Sequence, residues 1–356
     1  MKKPAFIKPG DTIGLVAPSF GAATEPYITR FAAAISKLEK RGYKIVCADS
    51  CYKSDGLGIS TKPEDAAADV MKFYLDDSID ALISTGGGEL MNETISCLDF
   101  DALGAAKPKW FMGYSDNTNM IFPMASLYGV PGIYGPCACG FGKPWEQTEK
   151  DAFALIEGRS LTVHGHKKFE LPDLDEDEKE DDEEKEPDPL AMYNLTEPKV
   201  LSSFVPEGRK LVPYTGRIEM KGLLLGGCLD ILENLSGTRF DGTKELVKQG
   251  MPIVWVLEAC DLSPMSIRRT MWHLKMQGWF DTAAGFLIGR PLAAFRQDMM
   301  GVNAYNAVTD VIEDLRVPVV MDADVGHVPP MMPLIIGSMA DVIAEGNDLT
   351  VKMALQ

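Results

Sequence analysis

The chain has 356 residues, of which 46% are hydrophobic, and its formal net charge is −17 at pH 7. That length exceeds one ordinary hydrophobic core, so we expect two domains. No apolar run reaches the roughly 20 residues that cross a bilayer, and the N-terminus lacks the apolar segment of a signal peptide, so we expect no membrane association. The negative charge argues against nucleic acid as a partner, because its phosphates would be repelled.

Most of the acidic charge lies in one stretch. Residues 170–188 contain thirteen acidic residues and two lysines, which leaves a charge of −6 for the rest of the chain. Such a stretch buries too little apolar surface to fold alone, so we predict an exposed linker; a cation-binding loop is the less favoured alternative. The seven cysteines are scattered and odd in number, which is typical of reduced thiols in a cytoplasmic protein.

Strands and helices alternate along the first 150 residues. Apolar runs predict strands, and apolar residues at helical spacing predict helices between them, one of which would be capped by Thr61. The strands are predicted at residues 12–17, 43–47, 79–84 and 109–112. We therefore expect an α/β fold whose N-terminal half is a Rossmann-like open parallel sheet, with ligands bound at the carboxyl ends of its strands.

A second pattern begins after an irregular stretch at residues 149–211. Strands are predicted at residues 221–225, 253–257, 285–288 and 317–321, with helices at 266–277 and 304–315 and two strands within 339–355. This mixture predicts a β-rich C-terminal α/β domain. We therefore divide the chain into an N-terminal domain at residues 1–150, an insertion or linker at 151–212 and a C-terminal domain at 213–356.

Ser115 is a candidate nucleophile. It follows the apolar residues 110–112 and precedes an apolar helical pattern at 120–127, which predicts a strand, a tight turn and a helix. The backbone N–H of Asp116 would then face the same space as the Ser115 hydroxyl and can hold a developing oxyanion. The segment departs from the G-x-S-x-G elbow because Asn117 replaces the second glycine. The alternative is a serine that caps the helix.

Two residues in the C-terminal half complete a candidate catalytic set. Glu258 directly follows the buried strand predicted at residues 253–257, and His327 lies in a proline-containing loop. We favour His327 as the base over the other three histidines, which lie near the acidic stretch or within a predicted helix: His164, His166 and His273. His327 would take the Ser115 proton, and Glu258 would fix the histidine tautomer.

A glycine triplet offers the second oxyanion donor. Gly86, Gly87 and Gly88 follow a predicted strand, and glycine permits close approach of the backbone to a ligand. The same triplet can instead cradle a phosphate. It lacks the spacing of the known nucleotide-binding motifs, so nucleotide binding is the lesser hypothesis.

Short motifs in both halves carry a family resemblance. They lie at residues 10–19 (GDTIGLVAPS), 85–88 (TGGG), 113–116 (GYSD), 226–229 (GGCL), 257–258 (LE), 289–291 (GRP) and 326–327 (GH). With these motifs the chain resembles the serine peptidase family S66, whose members include LD-carboxypeptidases and microcin C7 self-immunity proteins. The resemblance implies a Ser–His–Glu triad on Ser115, His327 and Glu258, a Rossmann-like N-terminal domain and a swivelling-type C-terminal domain. It also implies a cytoplasmic homodimer that uses no metal or other cofactor.

Within the family, the central insertion and residues 226–230 and 235–238 are more similar to the microcin-immunity branch. Members of that branch stack a nucleobase on aromatic residues of the insertion, a role open here to Trp145, Tyr193 or Phe204. The glycine loop departs from the family pattern, because Glu89 follows Gly88 where members often carry Asn or Tyr.

Three functions stay open. The first is a serine hydrolase that cleaves an amide bond next to a free carboxylate, such as the L–D bond of muropeptides, so the partner would be a small peptide or peptide-like substrate. The second is a microcin-type immunity hydrolase acting on peptidyl- or aminoacyl-nucleotides. The third is a non-catalytic binding protein on the same scaffold. A basic residue should hold the substrate carboxylate, and the sequence does not choose among Arg217, Arg239, Arg268, Arg269 and Arg290.

Overall fold

The computed structural model describes residues 2–55, 57–172, 188–295 and 298–355. Most of the acidic stretch, residues 173–187, lies outside this range, and so does the linker predicted there. The described part is a mixed α/β fold built on two large sheets. The predicted fold class is therefore confirmed.

Helices α1 to α10 follow in chain order. Their bounds are Tyr27–Lys40, Pro63–Leu75, Met91–Ser96, Phe100–Ala105, Thr118–Tyr128, Gln147–Ile156, Leu229–Leu235, Thr243–Lys248, Pro264–Met276 and Asn306–Ile312. In the described part of the chain, none of them is long and apolar enough to cross a membrane.

Strands β1 to β17 alternate with these helices. Their bounds are Thr12–Val16, Lys44–Cys47, Ala81–Ser84, Trp110–Gly113, Gly132–Tyr134, Thr162–His164, Lys168–Phe169, Glu197–Pro198, Ser202–Glu207, Lys210–Pro213, Ile218–Cys228, Ile253–Glu258, Ala283–Gly289, Val319–Ala323, Leu334–Ile336, Met339–Glu345 and Asp348–Ala354.

The first sheet has the order β15-β5-β4-β3-β1-β2. Strands β1 to β5 are parallel, and β15 pairs antiparallel with β5 at one edge. Each residue of β3 and β4 is buried, as expected for strands covered by helices on both faces. The order β2-β1-β3-β4-β5 is one of the doubly wound topologies, in which ligands bind beside the carboxyl ends of β1 and β3.

The second sheet has nine strands in the order β10-β9-β14-β13-β12-β11-β16-β17-β6. Its centre, β11 to β14, is parallel, and antiparallel strands flank it on both sides. All six residues of β12 are buried, so its last residue, Glu258, ends deep in the protein. This sheet gives the C-terminal half the β-rich character expected from the sequence.

Three element predictions were wrong. Lys62, and not Thr61, precedes α2, and no side chain caps that helix. The stretch at 149–211 contains regular structure, because α6 continues to residue 156 and β6 to β10 follow it. Strand β11 also does not end before Gly226 but runs to Cys228, paired with β12. Glycine permits this close pairing, since residue 226 has a φ of +138° and a Cβ there would lie 1.8 Å from the Val256 carbonyl oxygen.

A hydrogen bond joins the two halves beneath the ends of their strands. The backbone N–H of Cys228, at the end of β11, donates to Thr118 Oγ1, at the start of α5, over 3.0 Å. A Cβ on Gly227, whose φ is +143°, would lie 2.6 Å from the same oxygen, so only glycine allows this approach. The two sheets are thus held in close contact at this point.

A stack of three buried aromatic rings strengthens the same junction. Phe122 of α5 stacks on Trp279 with ring centres 4.9 Å apart, and Trp279 stacks on Trp255 of β12 at 5.4 Å. Rings of this size bury large apolar areas and add a direct stacking contribution. Helix α5 is therefore packed rigidly onto the second sheet.

We expect the substitution Thr118→Val to destabilise the protein by about 1–3 kcal/mol, because it leaves the buried Cys228 N–H without an acceptor. The matched control is Thr309→Val, since Thr309 lies at the surface and its hydroxyl donates to the carbonyl of Tyr305; its effect should stay within about 0.5 kcal/mol. Urea denaturation measures both free energies of unfolding, and equal values for the two variants would contradict the prediction.

Candidate active site

A cavity of about 470 Å³ opens where β1 and β3 end. Phe20 follows β1, and the glycine triplet at 86–88 follows β3; both line the cavity. Residues of the second half, including Cys260 and His327, line it from the other side. The cavity therefore lies at the position that the topology of the first sheet favours for a ligand.

Ser115 lies on a strained turn between β4 and α5. Its φ is +61°, a conformation that costs a non-glycine residue on the order of 1 kcal/mol. Its backbone N–H donates to the Tyr134 hydroxyl over 3.1 Å. No side chain caps α5, so the alternative of a helix-capping serine is wrong.

The three residues predicted as a triad lie in hydrogen-bonding contact. His327 Nε2 is 2.9 Å from Ser115 Oγ, and His327 Nδ1 is 2.8 Å from Glu258 Oε2. The loop that carries the histidine, residues 324–333, joins β14 to β15, and we call it the His327 loop. Gly326 has a φ of +105°, and a Cβ there would lie 2.4 Å from Glu258 Oε2, so glycine is required for this approach.

Glu258 and His327 shift each other's pKa in opposite directions. Burial raises the pKa of the Glu258 carboxyl, but the charge of His327 and the hydrogen bonds to the carboxylate outweigh burial, and the pKa lies below its ordinary value. Burial lowers the pKa of the His327 imidazole, but the Glu258 carboxylate and the neighbouring Cys260 together raise it by more, so it lies well above its ordinary value. The pair is an ionised carboxylate beside an imidazole with increased proton affinity.

Tyr134 is a functional residue that the sequence analysis missed. Its hydroxyl donates to Glu258 Oε1 and accepts from the Ser115 N–H, so one buried group contacts two members of the triad. It ends β5, a strand of only three residues, which is too short to give a recognisable pattern.

Asp116 turns its side chain into the protein and away from solvent. Its carboxylate is fully buried and accepts from Ser19 Oγ, from the Met91 N–H over 2.9 Å and from Asn119 Nδ2 over 2.8 Å. Burial raises the pKa of this carboxyl. The side chain therefore ties the Ser115 turn to the segment after β1 and to the start of α3.

The predicted glycine loop lies against the Ser115 turn. A Cβ on Gly87 would lie 3.1 Å from Ser115 Cβ and 3.3 Å from its Oγ. Asn117, which replaces the second glycine of the elbow motif, donates from Nδ2 to the Gly86 carbonyl over 2.9 Å. Gly88 has a φ of +138°, and a Cβ there would lie 2.2 Å from Ser19 Oγ. The loop and the turn thus form one connected unit.

A cluster of buried charges holds the His327 loop. Asp324, three residues before the histidine, pairs with Lys199 at 3.2 Å and with Arg290 at 3.5 Å, and all three side chains are at most 5% exposed. Asp324 also accepts from the backbone N–H of His166 over 2.7 Å. Both ends of the central insertion therefore contact the loop that carries His327.

None of the five arginines considered from the sequence reaches the cavity. Arg290 is buried beside Asp324. The other four form hydrogen bonds with protein groups outside the cavity: Arg217, Arg239, Arg268 and Arg269. The cations that line the cavity are Arg30 of α1 and Lys143. Arg30 lies in the first helix after β1, and a topological argument could have found it; no sequence pattern marks Lys143.

Of the three aromatic residues considered for stacking, only Tyr193 lines the cavity. Trp145 packs on Phe153 with ring centres 4.7 Å apart, and Phe204 lies in β9, where it pairs with Val319. Tyr193 comes from the C-terminal end of the insertion, so this segment contributes directly to the cavity wall.

Two family models match the chain. One, described as the LD-carboxypeptidase N-terminal domain, covers residues 13–135, and the other, described as the LD-carboxypeptidase C-terminal domain, covers residues 221–342. The chain belongs to peptidase family S66. The family resemblance drawn from the sequence motifs is therefore confirmed.

S66 relatives match over nearly the full length. The microcin C7 self-immunity protein MccF of Escherichia coli is 25% identical over 349 residues, 96% of this chain and 93% of that protein. The probable murein peptide carboxypeptidase of Bacillus subtilis is 25% identical over 341 residues, 95% of this chain and 90% of that protein.

Solved structures of S66 proteins share the fold. MccF in complex with glutamyl sulfamoyl guanosine matches with a TM-score of 0.75 at 22% identity, over 99% of this chain and 98% of that chain. The muramoyltetrapeptide carboxypeptidase from Oxalobacter formigenes matches with a TM-score of 0.66 at 16% identity, over 97% and 99%.

We expect Tyr134→Phe to destabilise the protein by about 1–3 kcal/mol, because the partly buried Ser115 N–H and the buried Glu258 Oε1 both lose their partner. The matched control is Tyr128→Phe, since the Tyr128 hydroxyl donates to Asp101 at the surface; its effect should stay within about 0.5 kcal/mol. Chemical denaturation measures both, and a neutral Tyr134→Phe variant would show that these two hydrogen bonds are dispensable.

Proposed function

We propose that the protein is a serine-type peptidase in which Ser115 is the nucleophile, His327 the general base and Glu258 the residue that orients the histidine. The observation that carries the proposal is the chain of two hydrogen bonds, 2.9 Å from His327 to Ser115 and 2.8 Å from His327 to Glu258, at the wall of a cavity. This arrangement is the geometry that activates a serine hydroxyl.

The reaction begins when His327 Nε2 takes the Ser115 proton and Ser115 Oγ attacks the carbonyl carbon of the substrate amide. The proposed donors to the resulting oxyanion are the backbone N–H of Asp116 and one backbone N–H from the loop of Gly86, Gly87 and Gly88. His327 then protonates the leaving nitrogen and the C–N bond breaks, which leaves an acyl-enzyme. Water, deprotonated by His327, attacks the ester, and Ser115 Oγ leaves with the proton.

The favoured substrate is a short peptide whose scissile amide lies next to a free carboxylate, such as the L–D bond of a muropeptide stem. Relatives named as murein peptide and muramoyltetrapeptide carboxypeptidases support this choice. A cavity of about 470 Å³ suits a ligand of a few residues.

One observation favours a second candidate, an immunity hydrolase that acts on peptidyl- or aminoacyl-nucleotides. Tyr193, an aromatic residue of the insertion, lines the cavity and offers a ring on which a nucleobase can stack. The structural match to MccF with a sulfamoyl nucleoside supports the same candidate.

Three further predictions stay proposals. The family resemblance implies a homodimeric assembly and a cytoplasmic location, and the scattered cysteines are typical of the same location. The pattern of predicted elements supports the division into domains at residues 1–150 and 213–356 with an insertion between them. Size-exclusion chromatography with light scattering tests the first of these.

We predict that Ser115→Ala lowers the rate of hydrolysis by on the order of 10⁴-fold or more, because the nucleophile is lost. The comparison uses whichever substrate the unmodified protein hydrolyses. A panel of L,D-tetrapeptides and aminoacyl-nucleotides, with products identified by mass spectrometry, separates the two substrate classes. The control Ser78→Ala removes a surface hydroxyl that bonds only within its own turn and should retain activity.

A fluorophosphonate probe separates these candidates from the third, a non-catalytic binding protein. Ser115 should be labelled in the unmodified chain and not in Ser115→Ala. Unlabelled Ser115 together with no hydrolysis would favour the binding protein, and full activity of Ser115→Ala would refute the nucleophile.

We predict that the rate of fluorophosphonate labelling falls on acidification with a midpoint above about pH 6.5, the ordinary histidine pKa. His327 accepts the Ser115 proton only when neutral, and its pKa is raised by the Glu258 carboxylate, so the loss begins at a higher pH than for an isolated histidine. Glu258→Gln removes that charge and should move the midpoint to lower pH. A midpoint that does not move would refute the coupling.

A further inference from the structure

Two cationic side chains, Arg30 and Lys143, line the cavity. Arg30 Nε donates to the Pro189 carbonyl over 2.8 Å, and Lys143 Nζ lies 4.3 Å from the centre of the Tyr193 ring. Both side chains are half-buried, and among the described residues neither forms an ion pair. We call Arg30 and Lys143 the cationic pair.

The rest of the protein satisfies its buried cations with its own groups. Lys199 and Arg290 are almost fully buried and both pair with Asp324, and the buried Lys109 donates to the backbone carbonyl of Asp76. Burying a cation without a partner costs free energy. The cationic pair lines the cavity and forms no ion pair within the described part of the chain, so its positive charge is available to a ligand.

The electrostatic environment supports this reading. Burial lowers the pKa of Lys143, and the neighbouring positive charge of Arg30 lowers it further, although nearby glutamates oppose both effects. Two like charges held close together repel each other, and a bound anion would relieve that repulsion.

The glutamates near the cationic pair are engaged with the backbone. Glu149 also lines the cavity, but its carboxylate accepts from the Glu146 N–H over 2.9 Å in the capping box of α6. Glu146 accepts from the Tyr193 N–H at 3.4 Å, and Glu170 accepts from the Asn194 N–H at 3.2 Å. These carboxylates fix the start of α6 and the end of the insertion, and none forms an ion pair with Arg30 or Lys143.

A negative group lies beside the glycine loop in the same cavity. Glu89 directly follows Gly88 and lines the cavity, and its partial burial and the neighbouring Asp261 raise the pKa of its carboxyl. When ionised, Glu89 repels the carboxylate or phosphoryl end of a substrate. That end is therefore placed more favourably at the cationic pair.

We propose that Arg30 and Lys143 form the subsite for an anionic group on the leaving side of the scissile amide. The inference rests on the proposed hydrolase function and specifies its substrate as an anion. A carboxylate at the C-terminus of a peptide and a phosphoryl group of an aminoacyl-nucleotide share the chemistry that this pair recognises. Free hydroxyl or amide ends in that position lack it.

The test compares substrates that differ only in this charge. The double variant Arg30→Gln/Lys143→Met should raise KM for an L,D-peptide with a free carboxylate by about 10- to 100-fold, because charge-assisted hydrogen bonds are lost. The KM for the same peptide with a C-terminal amide should change by less than about threefold. Arg30→Lys/Lys143→Arg keeps both charges and should retain most of the affinity for the carboxylate.

A matched control removes a cation outside the cavity. Arg41 lies over the Trp145 ring at 3.9 Å and does not line the cavity, so Arg41→Gln should leave KM unchanged for both peptides. If the double variant raises KM equally for the carboxylate and amide peptides, the pair acts only on the fold of the insertion and the proposal is refuted. If the KM increase is confined to the aminoacyl-nucleotide, the anion is phosphoryl.

A binding measurement separates failure of the subsite from failure of the hydrolase. The Ser115→Ala variant should bind the carboxylate peptide or a nucleoside 5′-monophosphate in isothermal titration calorimetry. Introducing Arg30→Gln and Lys143→Met into that variant should raise the Kd by about 10- to 100-fold. If binding weakens in this way but the unmodified protein shows no hydrolysis that depends on Ser115, the subsite proposal stands and the hydrolase proposal is rejected. Hydrolysis with unchanged KM in the double variant would reject the subsite and keep the hydrolase.

Discussion

The docking of helix α5 onto the second sheet is the constraint on which the site depends. Ser115 lies on the turn before α5, and Glu258 is the last residue of β12, so the relative position of these two elements fixes the distance between the proposed nucleophile and the proposed orienting carboxylate. The stacked rings of Phe122, Trp279 and Trp255 hold the elements together with centre distances of 4.9 and 5.4 Å. This large apolar contact keeps α5 and β12 in one relative position, because close-packed rings tolerate little displacement.

The histidine is positioned by a different kind of interaction. Its loop is held by the buried pairs of Asp324 with Lys199 and Arg290, and such pairs contribute little net stability because desolvation offsets most of their attraction. Removing one partner is nevertheless costly, so the arrangement strongly favours one loop position. Gly326 then brings the backbone against Glu258, where any side chain would collide with the carboxylate.

The sequence predicted the strands of both sheets and singled out Ser115 and Glu258 of the proposed triad, because these features follow from local rules. Apolar runs mark buried strands, and Ser115 and Glu258 stand where such runs end. Tyr134, the charges around Asp324 and the cationic pair of Arg30 and Lys143 follow no local pattern, because their roles depend on which distant segments meet. Thr61 is not the cap of α2, because that helix begins after Lys62 and has no side-chain cap.

The end of the insertion connects the proposed substrate site with the proposed base. Pro189 and Tyr193 contact the cationic pair, and ten residues after Pro189 the same segment reaches Lys199, the partner of Asp324 in the His327 loop. A ligand that binds the cationic pair would therefore lie against a segment that also holds the His327 loop through Lys199.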